Sequence, residues 1–222
     1  MSRYILTDMG NILTRFKLRP NVIGEILAGF GVATLNWAKL PADPVAPHEE
    51  GWYHGLDLGM FSLYDVWKQL TAHGNIPETA CPFPLFVSLW CRHLEPIEGV
   101  ARLYQRLQQE FPLVVISNGD SEGVRHIAFH LADVYGLRFR KVFISGEYGR
   151  KKPDLFNDVL AFLYAENVNP ADCVFVDDIE AYVDAQISNL RSEINAELRQ
   201  LEREIGRLEE EMAELARAVV AA

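Results

Sequence analysis

The sequence of 222 residues has little cysteine, no long apolar run and fewer bases than acids. Its three cysteines, Cys81, Cys91 and Cys173, are odd in number and lack metal-ligand spacing. That excludes a disulfide-stapled scaffold and points to a reducing cytosol. The opening "MSRYILTDMGNIL" contains no apolar stretch of signal-peptide length, and nothing downstream approaches a membrane span. A formal net charge of −10 argues against non-specific binding to nucleic acid or to an anionic membrane. A soluble, cytoplasmic protein is expected. An acidic chain that handles anionic substrates needs a local positive charge or a metal to hold them.

What is present suffices for a core. Hydrophobic residues make up 49% of the chain and aromatics 11%, which is enough for one good-sized domain with an appendage. Four short apolar runs, "YILT", "LVVIS", "KVFIS" and "CVFVD", are rich in β-branched residues and separated by helical patterns. They read as buried strands. Helices are expected over Val100–Gln109, Gly123–Tyr135 and Leu155–Ala165. This alternation predicts an α/β fold with a Rossmann-like parallel sheet covered on both faces. Between the first two strands lies an insertion, about residues 17–95, read as a small helical cap. Within it "SLYDVWKQLTAHG" has Ser62 as N-cap, Asp65 in the first turn and Gly74 as the stop. The Pro-rich "LPADPVAPH" and "CPFPLF" read as breaks between its helices. Trp52, Tyr53, His54, Trp67 and Trp90 are assigned to cap core in preference to a substrate pocket.

The composition changes at about Ala185. Residues 185–222 have no Lys, no aromatic, five Arg and eight Glu, so the globular part keeps a charge of −7. Leu198, Leu201, Ile205, Leu208, Met212, Leu215 and Val219 are spaced alternately three and four apart, which is a heptad seam. Ile187, Leu190 and Ile194 extend it upstream through a stutter. A long C-terminal coiled-coil helix is expected, with an oligomer or a partner helix formed through 185–222. Asp184 is read as a solvated helix residue.

The chemistry gathers at strand ends. In open parallel sheets, ligands sit outside the carboxyl ends of the strands. Asp8 follows the first strand, Ser117 and Asn118 end the second, and Asp177 and Asp178 end the fourth. Lys151 and Lys152 stand after the third, just before Pro153. Carboxylates with one hydroxyl and one lysine make a divalent-metal and phosphate site, and oxygen ligands suit Mg²⁺. The metal and lysine would neutralise a transferring phosphoryl group, and a carboxylate can itself be the nucleophile.

"DMGNIL", "VVISNGD", "GRKKPD" and "VFVDD" resemble the four ordered motifs of the haloacid dehalogenase-like hydrolase superfamily. The likeness covers residues 1–184 and is greatest to small-capped sugar-phosphate phosphatases. It implies a Mg²⁺-dependent phosphatase that hydrolyses a small phosphorylated metabolite through an aspartyl-phosphate. Asp8 would be nucleophile and metal ligand, and Ser117 with Asn118 would hold the phosphate. Lys152 would screen charge, Asp178 would be the second metal carboxylate, and Asp177 would support the lysine or metal shell. Two departures stand out. Where phosphatases of the superfamily carry an acid/base aspartate, this sequence has Gly10; its carbonyl can still ligate metal, but no side chain can protonate a leaving group. The usual closing strand after the fourth motif also has no counterpart in the sequence. These departures keep two alternatives open, a weakly active or inactive module used for assembly through its coiled coil, and a 2-haloacid dehalogenase.

Overall fold

The computed structural model describes residues 3–16, 26, 28–31, 55–92, 94–179, 199, 200, 203, 204, 206 and 207. Contacts divide the chain into two compact units, Met1–Glu180 and Ala181–Ala222. In the second, the described positions 199, 200, 203, 204, 206 and 207 are helical. The apolar seam positions, Asp184 and any oligomer made through 185–222 lie outside the described residues. So do Trp52, Tyr53, His54 and "LPADPVAPH".

In the first unit the four apolar runs form one sheet. β1 (Ile5–Thr7), β4 (Leu113–Ser117), β5 (Phe139–Ile144) and β6 (Val174–Val176) are all parallel, in the order β5-β4-β1-β6. β1 and β4 are buried along their whole length, as continuous apolar strands in a doubly covered sheet must be. Helices α3 (Glu98–Leu107), α4 (Ser121–Tyr135) and α6 (Phe156–Ala165) connect them. α4 buries Val124, Ile127 and Leu131 at three- and four-residue spacing, one face of a helix. Asp120 is its N-cap, and Gly136, at φ 66°, ends it in the left-handed region. A single turn, α5 (Ser145–Tyr148), follows β5 directly.

The insertion differs from its sequence reading in three ways. Its ends are joined by an antiparallel pair, β2 (Thr14–Phe16) with β3 (Leu94–Pro96), two strands in addition to the four expected. This stem lets the excursion leave and re-enter the sheet layer at one place. α1 (Leu63–Gly74) has the expected capping box between Ser62 and Asp65, but its left-handed stop is Asn75 at φ 50° and not Gly74. Asn tolerates that backbone almost as glycine does. "CPFPLF" is a break only in part: Cys81 and Pro82 lie between the helices, but Phe83 opens α2 (Phe83–Cys91), with proline in the first turn, where the missing N–H costs nothing. Trp67 and Trp90 are both buried, and Trp67 stacks obliquely on Phe83 with ring centroids 5.6 Å apart.

At the sheet edge, β6 pairs with β1 and, among the described residues, with no other strand. Val174 is 59% exposed there. Beside it lies an apolar cavity of about 560 Å³ lined by Ile12, Val100, Leu103, Tyr104 and Val176, among others.

Candidate active site

β1 lies between β4 and β6, so the residue after β1 is flanked by the carboxyl ends of both neighbours. That residue is Asp8. Its backbone N–H donates to the Val176 carbonyl at 2.9 Å, which ties it to β6. Behind it, the Tyr104 hydroxyl donates to Thr7 Oγ1 at 3.0 Å, and Thr7 Oγ1 donates to the Asp8 carbonyl at 3.0 Å. The nucleophile candidate is therefore set in a rigid, buried frame, and Asp8 is only 8% exposed.

Lys152 comes to Asp8 from the loop after α5. Its ammonium lies 3.1 Å from Asp8 Oδ1 and 2.5 Å from Asp177 Oδ2. The Lys152 and Asp177 side chains are almost wholly buried, at 1% and 0% exposure. A buried charge is tolerable only when paired, and here one lysine serves two carboxylates. The Lys152 backbone N–H donates to Asn118 Oδ1 at 2.9 Å, so the loop after β4 and the lysine loop are stitched together. Ser117 closes β4 and is buried.

Burial pushes the Asp8 carboxyl up to about 6, opposed by Lys152 and reinforced by Asp177. One oxygen from each of Asp8, Asp177 and Asp178 can be chosen so that all three lie within 4.8 Å of one another. Mg²⁺ binds oxygen at about 2.0–2.1 Å, so two ligands on opposite sides of one ion stand a little over 4 Å apart, and Asp8 and Asp178 are near enough to share an ion while Asp177 stays on Lys152. Three carboxylates against one ammonium leave two negative charges, the charge a divalent cation offsets. The donor set therefore fits Mg²⁺. Gly10 is close by: a Cβ built on it would meet Asp8 Oδ2 at 3.7 Å, ordinary contact distance.

Asp8, Lys152, Asp177 and Asp178 are thus gathered in one cluster, with Asn118 bonded to it through Lys152. Three residues that sequence reasoning missed support this region. Asn11 donates through Nδ2 to Asp178 Oδ2 at 2.8 Å. Ser145 Oγ, fully buried, accepts from the Gly119 N–H at 2.9 Å and fixes the loop after β4. Asp120 accepts from Trp90 Nε1 at 3.2 Å and from the Gly123 N–H, joining α2 of the insertion to the first turn of α4. For Asp120 the signal was present, since Asp before an apolar-periodic run is a helix start. The Asn11 and Ser145 partners are too distant in sequence to leave one.

A family profile described as haloacid dehalogenase-like hydrolase matches residues 30–186, well over half of the chain. The chain belongs to the haloacid dehalogenase-like hydrolases. The matched span holds Ser117, Asn118, Lys152, Asp177 and Asp178 and begins downstream of Asp8. No curated protein matches the chain. Among solved structures, this haloacid dehalogenase-like hydrolase is similar to a family enzyme from Bacteroides thetaiotaomicron solved with magnesium and inorganic phosphate. That pair shares 16% identity and a TM-score of 0.59, covering 86% of this chain and 91% of the other. It is also similar to a predicted HAD-like hydrolase from Porphyromonas gingivalis, at 22% identity and TM-score 0.56, over 86% and 88%. An L-2-haloacid dehalogenase matches at 14% identity and TM-score 0.51, over 85% and 81%. At these identities the likeness is one of fold.

Proposed function

We propose that this hydrolase is a Mg²⁺-dependent phosphatase that acts on a small phosphorylated metabolite, such as a sugar phosphate, through an aspartyl-phosphate on Asp8. The observation that carries the reading is the buried Lys152 ammonium shared between Asp8 and Asp177, with Asp178 beside them. Asp8, Asp178 and the Gly10 carbonyl would hold the cation. When bound, Mg²⁺ supplies positive charge against the phosphoryl oxygens. The bacteroidal relative of like fold was solved with magnesium and phosphate, which supports the same chemistry here.

On this reading, an Asp8 carboxylate oxygen attacks phosphorus, the ester P–O bond breaks, and the alcohol leaves. Lys152 keeps Oδ1 engaged and screens the approach of an anionic substrate to an anionic nucleophile. Ser117 and Asn118 would bind the transferring phosphate through the hydroxyl and amide. Water then attacks the acyl-phosphate, releasing inorganic phosphate and restoring Asp8. Gly10 brings no proton to the leaving alkoxide, which must take one from water or from the substrate itself. General acid catalysis is worth about 10²–10⁴-fold, so slow turnover is expected.

Gly10 also favours a second reading, halide displacement from a 2-haloacid. A halide leaves without a proton, so the missing acid costs that reaction nothing. The test is phosphate release from a panel of sugar phosphates and halide release from 2-haloacids, with and without chelator, by the wild type and Asp8→Asn. Metal-dependent release that Asp8→Asn abolishes, with the fold intact, supports the phosphatase. Halide release that persists in chelator supports the dehalogenase. Neither activity in the wild type would leave a hydrolase fold used for assembly.

A further inference from the structure

The two adjacent carboxylates after β6 are held very differently. Asp177 is anchored twice, by Lys152 and by the Ile179 N–H, which donates to Oδ1 at 2.9 Å. Asp178 follows a three-residue edge strand and is exposed. Among the described residues, its side-chain hydrogen bond comes from across the fold, from Asn11 Nδ2 to Oδ2 at 2.8 Å. Asn11 makes that bond from a left-handed backbone, φ 56°, immediately after Gly10 and three residues after Asp8.

We infer that Asn11 is a positioning residue for the cation site: its amide holds Asp178 toward Asp8 and leaves Oδ1 uncommitted for the ion. Three facts combine to this. A carboxylate on a solvent-exposed edge has many rotamers, and a neutral donor restricts them without competing for positive charge. The donor is an amide and carries no charge, so the negative charge that attracts a cation is left whole. The left-handed conformation costs an ordinary side chain about 1 kcal/mol or more, and asparagine is the residue that both tolerates it and supplies a donor. Hydrogen-bond partners of this kind typically change metal affinity by about 10–100-fold. Because this bond is exposed to water, the lower end of that range applies.

The inference rests on the metal reading above, and one experiment separates their failures. Mn²⁺ is titrated into the full chain without substrate, free Mn²⁺ is read by electron paramagnetic resonance, and thermal melting is recorded in parallel. Asn11→Gly removes the amide and suits the left-handed backbone, so its melting temperature should stay within a few degrees of wild type. Its Mn²⁺ affinity should fall about tenfold, and Asp178→Asn should fall at least as far. If Asp178→Asn loses affinity while Asn11→Gly binds as wild type does, the role of Asn11 is overturned and the metal site stands. If Asn11→Gly fails to fold or melts far lower, its role is structural and the inference is overturned. Absence of saturable Mn²⁺ binding by the wild type would remove the metal reading and this inference together.

Discussion

Replacing Asp120 by Asn should change how stability depends on pH, with a sign that the structure fixes in advance. Asp120 sits where the loop after β4 becomes α4, accepting from the Gly123 N–H and from Trp90 Nε1. Burial is the largest influence on its carboxyl and pushes it up to about 6 from 3.8, against the lowering effect of those two donors. A folded-state pKa above the unfolded one means that the native state binds the proton more tightly. The resulting stability is fully present below the unfolded value and is lost as pH rises through the folded value. Two pH units correspond to about 3 kcal/mol in all. Roughly half of that, about 1.5 kcal/mol, disappears between pH 5 and pH 8. Asn cannot ionise, and its carbonyl still accepts from Gly123, although its NH₂ offers Trp90 nothing, at a pH-independent cost of about 1–3 kcal/mol. Urea unfolding of both chains in chelator, across pH 5 to 8, isolates the Asp120 contribution, because Asp8 titrates in both. The variant should be the less stable chain at pH 5 and should recover about 1.5 kcal/mol against wild type by pH 8. Parallel profiles would falsify the assignment of a buried, proton-hungry carboxyl to Asp120.

Gly10→Asp should raise phosphatase turnover by about 100-fold, the lower end of what a general acid supplies, because a Cβ there meets nothing closer than 3.7 Å; an unchanged kcat on sugar phosphates would show that the missing acid does not limit the rate. Lys152→Ala should destabilise the chain by about 3–5 kcal/mol in chelator, since it strands Asp8 and Asp177 without their ammonium, and Mg²⁺ should restore part of the loss; denaturant midpoints equal to wild type would contradict that. Trp90→Phe should shift the Asp120 titration upward by removing a donor to its carboxylate, read as a pH–stability profile displaced toward higher pH; an unmoved profile would mean that Trp90 does not stabilise the charge.

The sheet was legible because its signal is local. Short β-branched runs between helical patterns identify strands, and polar residues at their carboxyl ends identify a site without any knowledge of which strands are neighbours. Pairings that cross the chain were not legible. Thr14–Phe16 and Leu94–Pro96 are three residues each, too short for alternation to mark them as strands, and their antiparallel partnership closes a loop of nearly the whole insertion. Asn11 and Asp178 are separated by 167 positions. The stop of α1 was misplaced by one residue because Gly74 and Asn75 can both turn left-handed, and only the folded backbone shows which does. The prolines of "CPFPLF" were read for what proline forbids inside a helix, although the first turn forbids nothing.

The double aspartate shows how adjacent, chemically identical groups come to differ. Asp177 and Asp178 leave β6 together, yet one side chain is fully buried on Lys152 while the other residue is exposed and bonded to Asn11. Buried against an ammonium, Asp177 is held as a counter-ion: moving it to a cation would take from Lys152 a buried carboxylate 2.5 Å away. Asp178 carries no such obligation, and its uncharged partner leaves its charge available. On the proposed reading the division follows from electrostatics. Asp177 keeps the lysine in place, Asp8 is shared between lysine and cation, and Asp178 belongs to the cation. Cation affinity should therefore fall further on Asp178→Asn than stability does. Asp177→Asn should do the reverse, because it leaves a buried ammonium short of one counter-charge. Equal effects of the two substitutions on Mn²⁺ binding and on unfolding would refute that division of labour.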